Sequence, residues 1–113
     1  FQGKSLLPIL SGSSKGTEHR QFVRSEYFDA LDPHFTGGDG TYATMYRTRS
    51  HKLCVYHGKG VGELFDMKKD PWEHHNLWND PDSTEIKNQL LAESFDAHVL
   101  LTTDVGSKRI APM

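Results

Sequence analysis

Tyr42-Ala43-Thr44-Met45-Tyr46-Arg47-Thr48-Arg49-Ser50-His51-Lys52-Leu53-Cys54-Val55-Tyr56 is the stretch that decides the fold. Successive side chains of a strand point to opposite faces, so Tyr42, Thr44, Tyr46 and Thr48 share one side and Ala43, Met45, Arg47 and Arg49 the other. After Ser50-His51 the alternation resumes, with Leu53 and Val55 opposite Cys54 and Tyr56. Two alternating β-prone runs separated by a short polar break predict a β-hairpin turning near Ser50. Gly58-Lys59-Gly60-Val61-Gly62 is a second turn, and Glu63 to Met67 a third run. On the N-terminal side, Phe22, Val23, Tyr27 and Phe28 give a fourth strand within 20–28. Short connections between consecutive strands predict an antiparallel meander.

Two helix-start signals follow. Asp70-Pro71-Trp72-Glu73 and Asp80-Pro81-Asp82-Ser83 each place an acceptor before a proline. The aspartate can take a free backbone N–H, and proline lacks the N–H that would go unpaired in a first turn. The first predicts one helical turn ending near Asn76; the second predicts a helix over 81–101. At about 100° per residue, Ile86, Leu90, Leu91, Ala97, His98 and Leu101 share a face, with Lys87, Asn88, Glu93 and Asp96 on or near the other. The fold class is therefore α+β: a four-stranded antiparallel sheet with a long C-terminal helix packed on one face. The other face is left for a partner.

The chain has 113 residues, enough for one core, with 35% hydrophobic and 25% charged residues. A net charge of −2 offers no basic excess for general nucleic-acid binding. Apolar runs fall short of the roughly 20 residues a membrane helix needs. The single cysteine, Cys54, excludes an internal disulfide and a multi-cysteine zinc site. Phe1 opens the chain in place of Met and leads straight into Gly3-Lys4-Ser5-Leu6-Leu7-Pro8, which reads as chain already inside a larger fold.

Chemistry-bearing residues are sparse. His74 and His75 lie beside Glu73 and Asp70, but adjacent histidines diverge and no His-x-x-x-His spacing occurs, so they read as an exposed polar turn. His98, on the apolar helix face, reads as a packed, hydrogen-bonded histidine. Cys54 sits mid-strand among apolar neighbours and reads as a small buried hydrophobe. No phosphate loop, nucleophile elbow or dinucleotide fingerprint is present. Arg47, Arg49, Lys52 and Lys59, with His51 at the hairpin tip, form a basic edge that reads either as an anion site or as a solvated, charge-protected strand edge. The long loop over 29–41 is glycine-rich and carries Asp32 and His34. The candidate substrate-binding residues are His34, Arg47 and His51; no catalytic or metal-ligating residue is assigned.

The order of segments resembles the C-terminal subdomain of the sulfatase family, among the alkaline-phosphatase-like hydrolases. The matching pieces are Gly3-Lys4-Ser5-Leu6-Leu7-Pro8-Ile9-Leu10, then Phe22 to Tyr27 with Glu26, then Arg47-Thr48 through Lys52-Leu53. The most specific is Glu63-Leu64-Phe65-Asp66, continued by Asp70-Pro71, Glu73 and Asn76-Leu77. The resemblance implies that residues 1–19 link to a missing N-terminal catalytic domain, that 20–101 form the subdomain and that 102–113 are an irregular tail. It implies a parent enzyme hydrolysing sulfate esters of glycans or aryl alcohols, in a periplasmic, extracellular or lysosomal setting. Such enzymes use a formylglycine made from the Cys or Ser of a Cys/Ser-x-Pro-x-Arg motif, and a calcium ion. Both belong to the missing domain: Cys54 is followed by Val55-Tyr56-His57 and does not match. On this reading the chain completes the fold and shapes the rim of the substrate pocket. The rival reading is a free-standing carbohydrate- or anion-binding module built on the basic edge.

Overall fold

The computed structural model describes residues 3–13, 20–29 and 40–102. The 29–41 loop from Ala30 to Asp39, with Asp32 and His34, therefore lies outside the described residues, as do most of the polar loop over 11–17 and the tail from residue 103. Strands β1 (Val23–Phe28), β2 (Tyr42–Arg47), β3 (His51–Tyr56) and β4 (Val61–Asp66) form one antiparallel sheet in the order β1-β2-β3-β4. The meander and its closing helix are as the sequence predicts.

Register explains which residues go inside. Arg24, Tyr46, Leu53 and Leu64 lie opposite one another across all four strands. Leu53 and Leu64 are fully buried, and Tyr46 nearly so, beneath Leu90 and Ala97 of the long helix. Ile86, Leu91 and Leu101 join them from the same helix, as do Leu77 and Trp78 from the loop before it. The opposite sheet face carries Arg47, Lys52 and Phe65 in one row and Met45, Cys54 and Glu63 in the next.

The helix opens as a single 3-10 turn, Pro81–Ser83, continued by α-helix Thr84–Thr102, here α2. Asp80 caps it: its carboxylate accepts from the Asp82 N–H at 3.2 Å and from the Ser83 hydroxyl at 2.7 Å. Lys87 ties the first turns back to the loop, donating to the Trp78 carbonyl at 2.8 Å with its ammonium 4.7 Å from the indole centroid.

The Asp70-Pro71 signal does not make a helical turn. Residues 70–76 form an irregular turn in which Glu73 adopts a left-handed φ of 59°. Asp70 still accepts backbone N–H groups, but from His74 and His75, both at 2.9 Å. The reason is tertiary. Asn76 is pulled onto the free edge of β4, where its side-chain oxygen accepts from the Leu64 N–H at 3.0 Å and its amide donates to the Gly62 carbonyl at 3.1 Å. The Leu77 N–H then donates to the Leu64 carbonyl at 2.7 Å. A helix through 71–76 would abandon these bonds and leave the edge unpaired. A second departure is the short helix α1, Leu7–Leu10, which the sequence reading leaves unassigned; Leu7 and Leu10 on it and Leu6 just before it are exposed.

Two substitutions test this closure. Asn76→Ala strips partners from Leu64 and Gly62 and is expected to destabilise by about 1–3 kcal/mol, with Asn76→Asp intermediate because it keeps the acceptor and loses the donor. Gly62→Ala would put a Cβ 2.4 Å from the Trp78 ring and 2.6 Å from the Cys54 carbonyl oxygen, and a comparable loss, about 1–3 kcal/mol, is expected. Denaturant midpoints of the variants measure both.

Candidate functional site

The hairpin tip brings Arg47 and His51 close in sequence but not onto one surface. Arg47 pairs in register with Lys52 on the face away from α2, where it is exposed. His51 begins β3 on the same side as Leu53, the helix-bearing face. Its Nδ1 lies 2.8 Å from the Ser50 hydroxyl. The Thr48 hydroxyl fixes the tip by accepting from the Ser50 and His51 N–H groups at 3.3 and 3.2 Å. His51 lines a hollow of about 430 Å³ with Asp66, Lys69, Asp70, His75 and Asp80 among its walls. Those carboxylates are committed to neighbouring backbone N–H groups and, for Asp80, to the Ser83 hydroxyl as well. Asp66 accepts from the Lys68 and Lys69 N–H groups, both at 3.0 Å. These bonds, that from Lys69 foremost, hold the Asp66 carboxyl below the ordinary aspartate range, and the bonds from His74 and His75 do the same for Asp70.

The basic residues do not assemble into a sheet edge. β2 and β3 are the two central strands. Arg47 and Arg49 lie at the β2–β3 turn, and Lys59 at the β3–β4 turn at the other end of the sheet. Lys52 is ion-paired to Glu73, with its ammonium 6.0 Å from the Phe65 ring centroid. The bond from Glu73 raises the Lys52 pKa, so this lysine is held as a charged structural partner.

Cys54 is half-buried on the face away from α2. Burial pushes its thiol up, and the Glu63 carboxylate adds to the shift against the opposing Lys52 ammonium. A thiol held protonated is the reverse of an activated nucleophile. Among the described residues no group of three His, Cys, Asp or Glu side chains is placed to hold a metal ion. No described helix is long and apolar enough to cross a membrane.

A polar cluster that the sequence reading missed ties α2 to the edge strand β1. Arg24 Nη2 donates to Glu26 Oε1 at 2.8 Å and lies 3.2 Å from His98 Nδ1, which is itself 3.3 Å from the same carboxylate oxygen. The Arg24 bond, opposed by burial and aided by His98, holds the Glu26 carboxyl low. Arg24 Nε is buried with no acceptor among the described residues. His98 is hydrogen-bonded as expected, but only half-buried, because it sits at the helix flank. The i, i+2 spacing of Arg24 and Glu26 in a β-prone run was the available signal.

A concavity lies beside this cluster. It is a groove of about 600 Å³ between α2 and the sheet, with Phe28, Tyr42, Val55, Leu91 and Phe95 as its apolar walls and Arg24, Thr44, His57, Ser94 and His98 as its polar ones. Thr44 Oγ1 and His57 Nε2 pair at 2.8 Å.

Residues 1–98 match the family described as N-sulphoglucosamine sulphohydrolase, C-terminal. An uncharacterized protein of Haemophilus influenzae is 33% identical over 93 residues, which are 82% of this chain and 43% of that protein. A delta 4,5-hexuronate-2-O-sulfatase of Bacteroides thetaiotaomicron is 36% identical over 84 residues, 74% of this chain and 16% of the enzyme. The solved structure of a 2-O GAG sulfatase superposes with a TM-score of 0.71 at 29% identity, covering 99% of this chain and 23% of its own. The chain therefore spans less than half the length of the relatives it matches.

The depressed carboxylates set a pH dependence. A folded form that holds Asp66 and Asp70 below their ordinary value of 3.8 binds fewer protons than the unfolded chain. Their contribution is complete above about pH 4 and is lost as pH falls through the folded values. In thermal scans, Asp70→Asn is expected to melt below the parent protein near pH 6, with the gap narrowing as pH falls below the ordinary aspartate value of 3.8.

Proposed function

We propose that this chain, which belongs to the N-sulphoglucosamine sulphohydrolase C-terminal family, is the scaffolding subdomain of a sulfatase. It completes the fold of an upstream catalytic domain and contributes to the rim of the substrate pocket, with no chemical step of its own. The observation that carries this reading is the fate of the motif Glu63 to Leu77. Asp66, Asp70 and Asn76 are all spent on backbone N–H and C=O groups, and Glu73 on Lys52. The residues that make the chain recognisable are therefore structural. The formylglycine and calcium of the parent enzyme belong, on this reading, to the upstream domain, and so does contact with the reacting sulfate. Similarity to a hexuronate-2-O-sulfatase and to a 2-O GAG sulfatase favours a sulfated glycan as the substrate class. The rival reading as an autonomous anion-binding module loses its footing because Lys52 is paired and Lys59 lies at the far end of the sheet.

Two experiments follow. The chain alone, given an aryl sulfate and calcium, is expected to show no turnover, whereas the parent enzyme turns over; hydrolysis by the chain alone would contradict the scaffold reading. For the rim, His34→Ala and one of the pair Arg47→Ala and His51→Ala in the parent enzyme are expected to raise KM for a sulfated glycan, by roughly tenfold where a charge-assisted contact is lost, and to leave KM for a small aryl sulfate nearly unchanged. Because Arg47 and His51 lie on opposite sheet faces, at most one of that pair is expected to respond. Equal effects on both substrates would remove the rim role.

A further inference from the structure

Lys52 is held by Glu73 and Lys59 lies at the far end of the sheet, but Arg47 and Arg49 gain a neighbour that their sequence positions do not suggest. The antiparallel pairing of β1 with β2 sets Val23 opposite Arg47. It thereby carries Arg20, just before β1, to the end of the sheet where β2 runs into its turn. Arg20, Arg47 and Arg49 together line a cleft of about 260 Å³, with Phe22 and Thr48 among its other walls. None of the described lining residues is acidic.

The walls are fixed. The Phe22 ring packs on Tyr46 with centroids 5.1 Å apart and joins the core. Across from it, the Thr48 N–H donates to the His51 carbonyl at 2.9 Å, and its hydroxyl accepts from the Ser50 and His51 N–H groups. These bonds lock the turn that presents Arg49. Protection of a strand edge does not account for the charges on this turn, because β2 and β3 are central strands with neighbours on both sides. Guanidiniums with no carboxylate between them repel one another, and a cleft lined by one sign of charge concentrates its field on an incoming counter-ion. Glu73, the carboxylate that reaches Lys52 opposite Arg47, is spent on that lysine. Arg47 is exposed, and no side-chain hydrogen bond or ion pair engages it among the described residues. Arg20 and Arg49 make further interactions within the chain. A guanidinium is nevertheless a planar fork of several N–H donors and can serve a second acceptor. Such forks match the oxygens of a sulfate.

We propose that this cleft binds a sulfate group of the glycan chain on which the parent enzyme acts, one other than the sulfate being hydrolysed. The inference rests on the scaffold reading above for the class of its ligand, and of the two rim candidates at the hairpin it names Arg47. A volume of about 260 Å³ lies just under the roughly 300–1,000 Å³ of small-molecule pockets, which suits one sulfated sugar better than a length of chain. Free sulfate, the product of such a reaction, offers the same oxygens, so the test includes it.

The test measures binding of a fluorescein-labelled, heparin-derived octasaccharide to the full-length parent protein by anisotropy. An unsulfated octasaccharide of the same backbone and sodium sulfate are the other two probes. Arg20→Ala is the decisive variant, because this residue is exposed, lies outside the strands and has no part in the rim reading. Arg49→Ala accompanies it. Each is expected to raise Kd for the sulfated octasaccharide by roughly tenfold, the loss of one charge-assisted contact. Each is also expected to flatten the dependence of log Kd on salt. Arg49→Lys is expected to recover part of the affinity, since it restores the charge without the fork. Unchanged Kd in either alanine variant, an unchanged salt slope, or equal losses for the unsulfated chain would overturn the proposal. So would displacement of the octasaccharide by sodium sulfate at equal concentration, which would assign the cleft to free sulfate. Turnover of an aryl sulfate by the same preparation keeps the two readings apart. An active enzyme with no arginine effect sinks only the cleft, whereas a parent lacking sulfatase activity sinks the scaffold assignment.

Discussion

The carboxamide of Asn76 holds the outer edge of the sheet closed. It gives the Leu64 N–H an acceptor and the Gly62 carbonyl a donor, standing in for a fifth strand with one side chain. The same oxygen accepts from the Trp78 N–H at 3.0 Å, and the Leu77 N–H completes the pairing at the Leu64 carbonyl. Everything C-terminal is positioned from this point. Leu77 and Trp78 drop onto the core, Lys87 grips Trp78, and Asp80 starts the helix whose Leu90 and Ala97 bury Leu53 and Leu64. Gly62 is required because the Trp78 ring occupies the space of a side chain.

Local chemistry made most of this legible. Strand alternation over 42–56 gave the hairpin, both faces and the meander, because a half-buried strand imposes period two on its sequence. Asp80-Pro81 gave the helix start. The near-identical Asp70-Pro71 misled for a reason visible only in three dimensions: Asn76 has a better use on the edge of β4 than in a helical turn, and Glu73 accepts a left-handed backbone to allow it. Phe95 and Leu100 were invisible to an amphipathic reading, since both lie outside the stripe that meets the sheet and both are exposed. The division of Arg47 and His51 between two faces depended on the residues spent in the turn, which alternation alone does not count. The Arg24–Glu26–His98 cluster joins positions more than 70 residues apart. Short-range pattern carries no trace of such a pairing.

A consistent division of labour emerges. The acidic and amide residues that give this chain its family signature close loops and cap edges, and its one thiol is kept protonated by burial. What faces outward is apolar or aromatic on the groove side and mixed on the other. The sulfatases it resembles are several times longer than the stretch they share with it.

The central claim is that these motif residues maintain structure and do not touch the reaction. The most direct measurement is turnover per folded molecule in the parent enzyme carrying Asp70→Ala, alongside its melting temperature. The account predicts a lower Tm with kcat of the folded fraction within about twofold of the unaltered enzyme. A large fall in kcat at unchanged Tm would place Asp70 in the chemistry and contradict it.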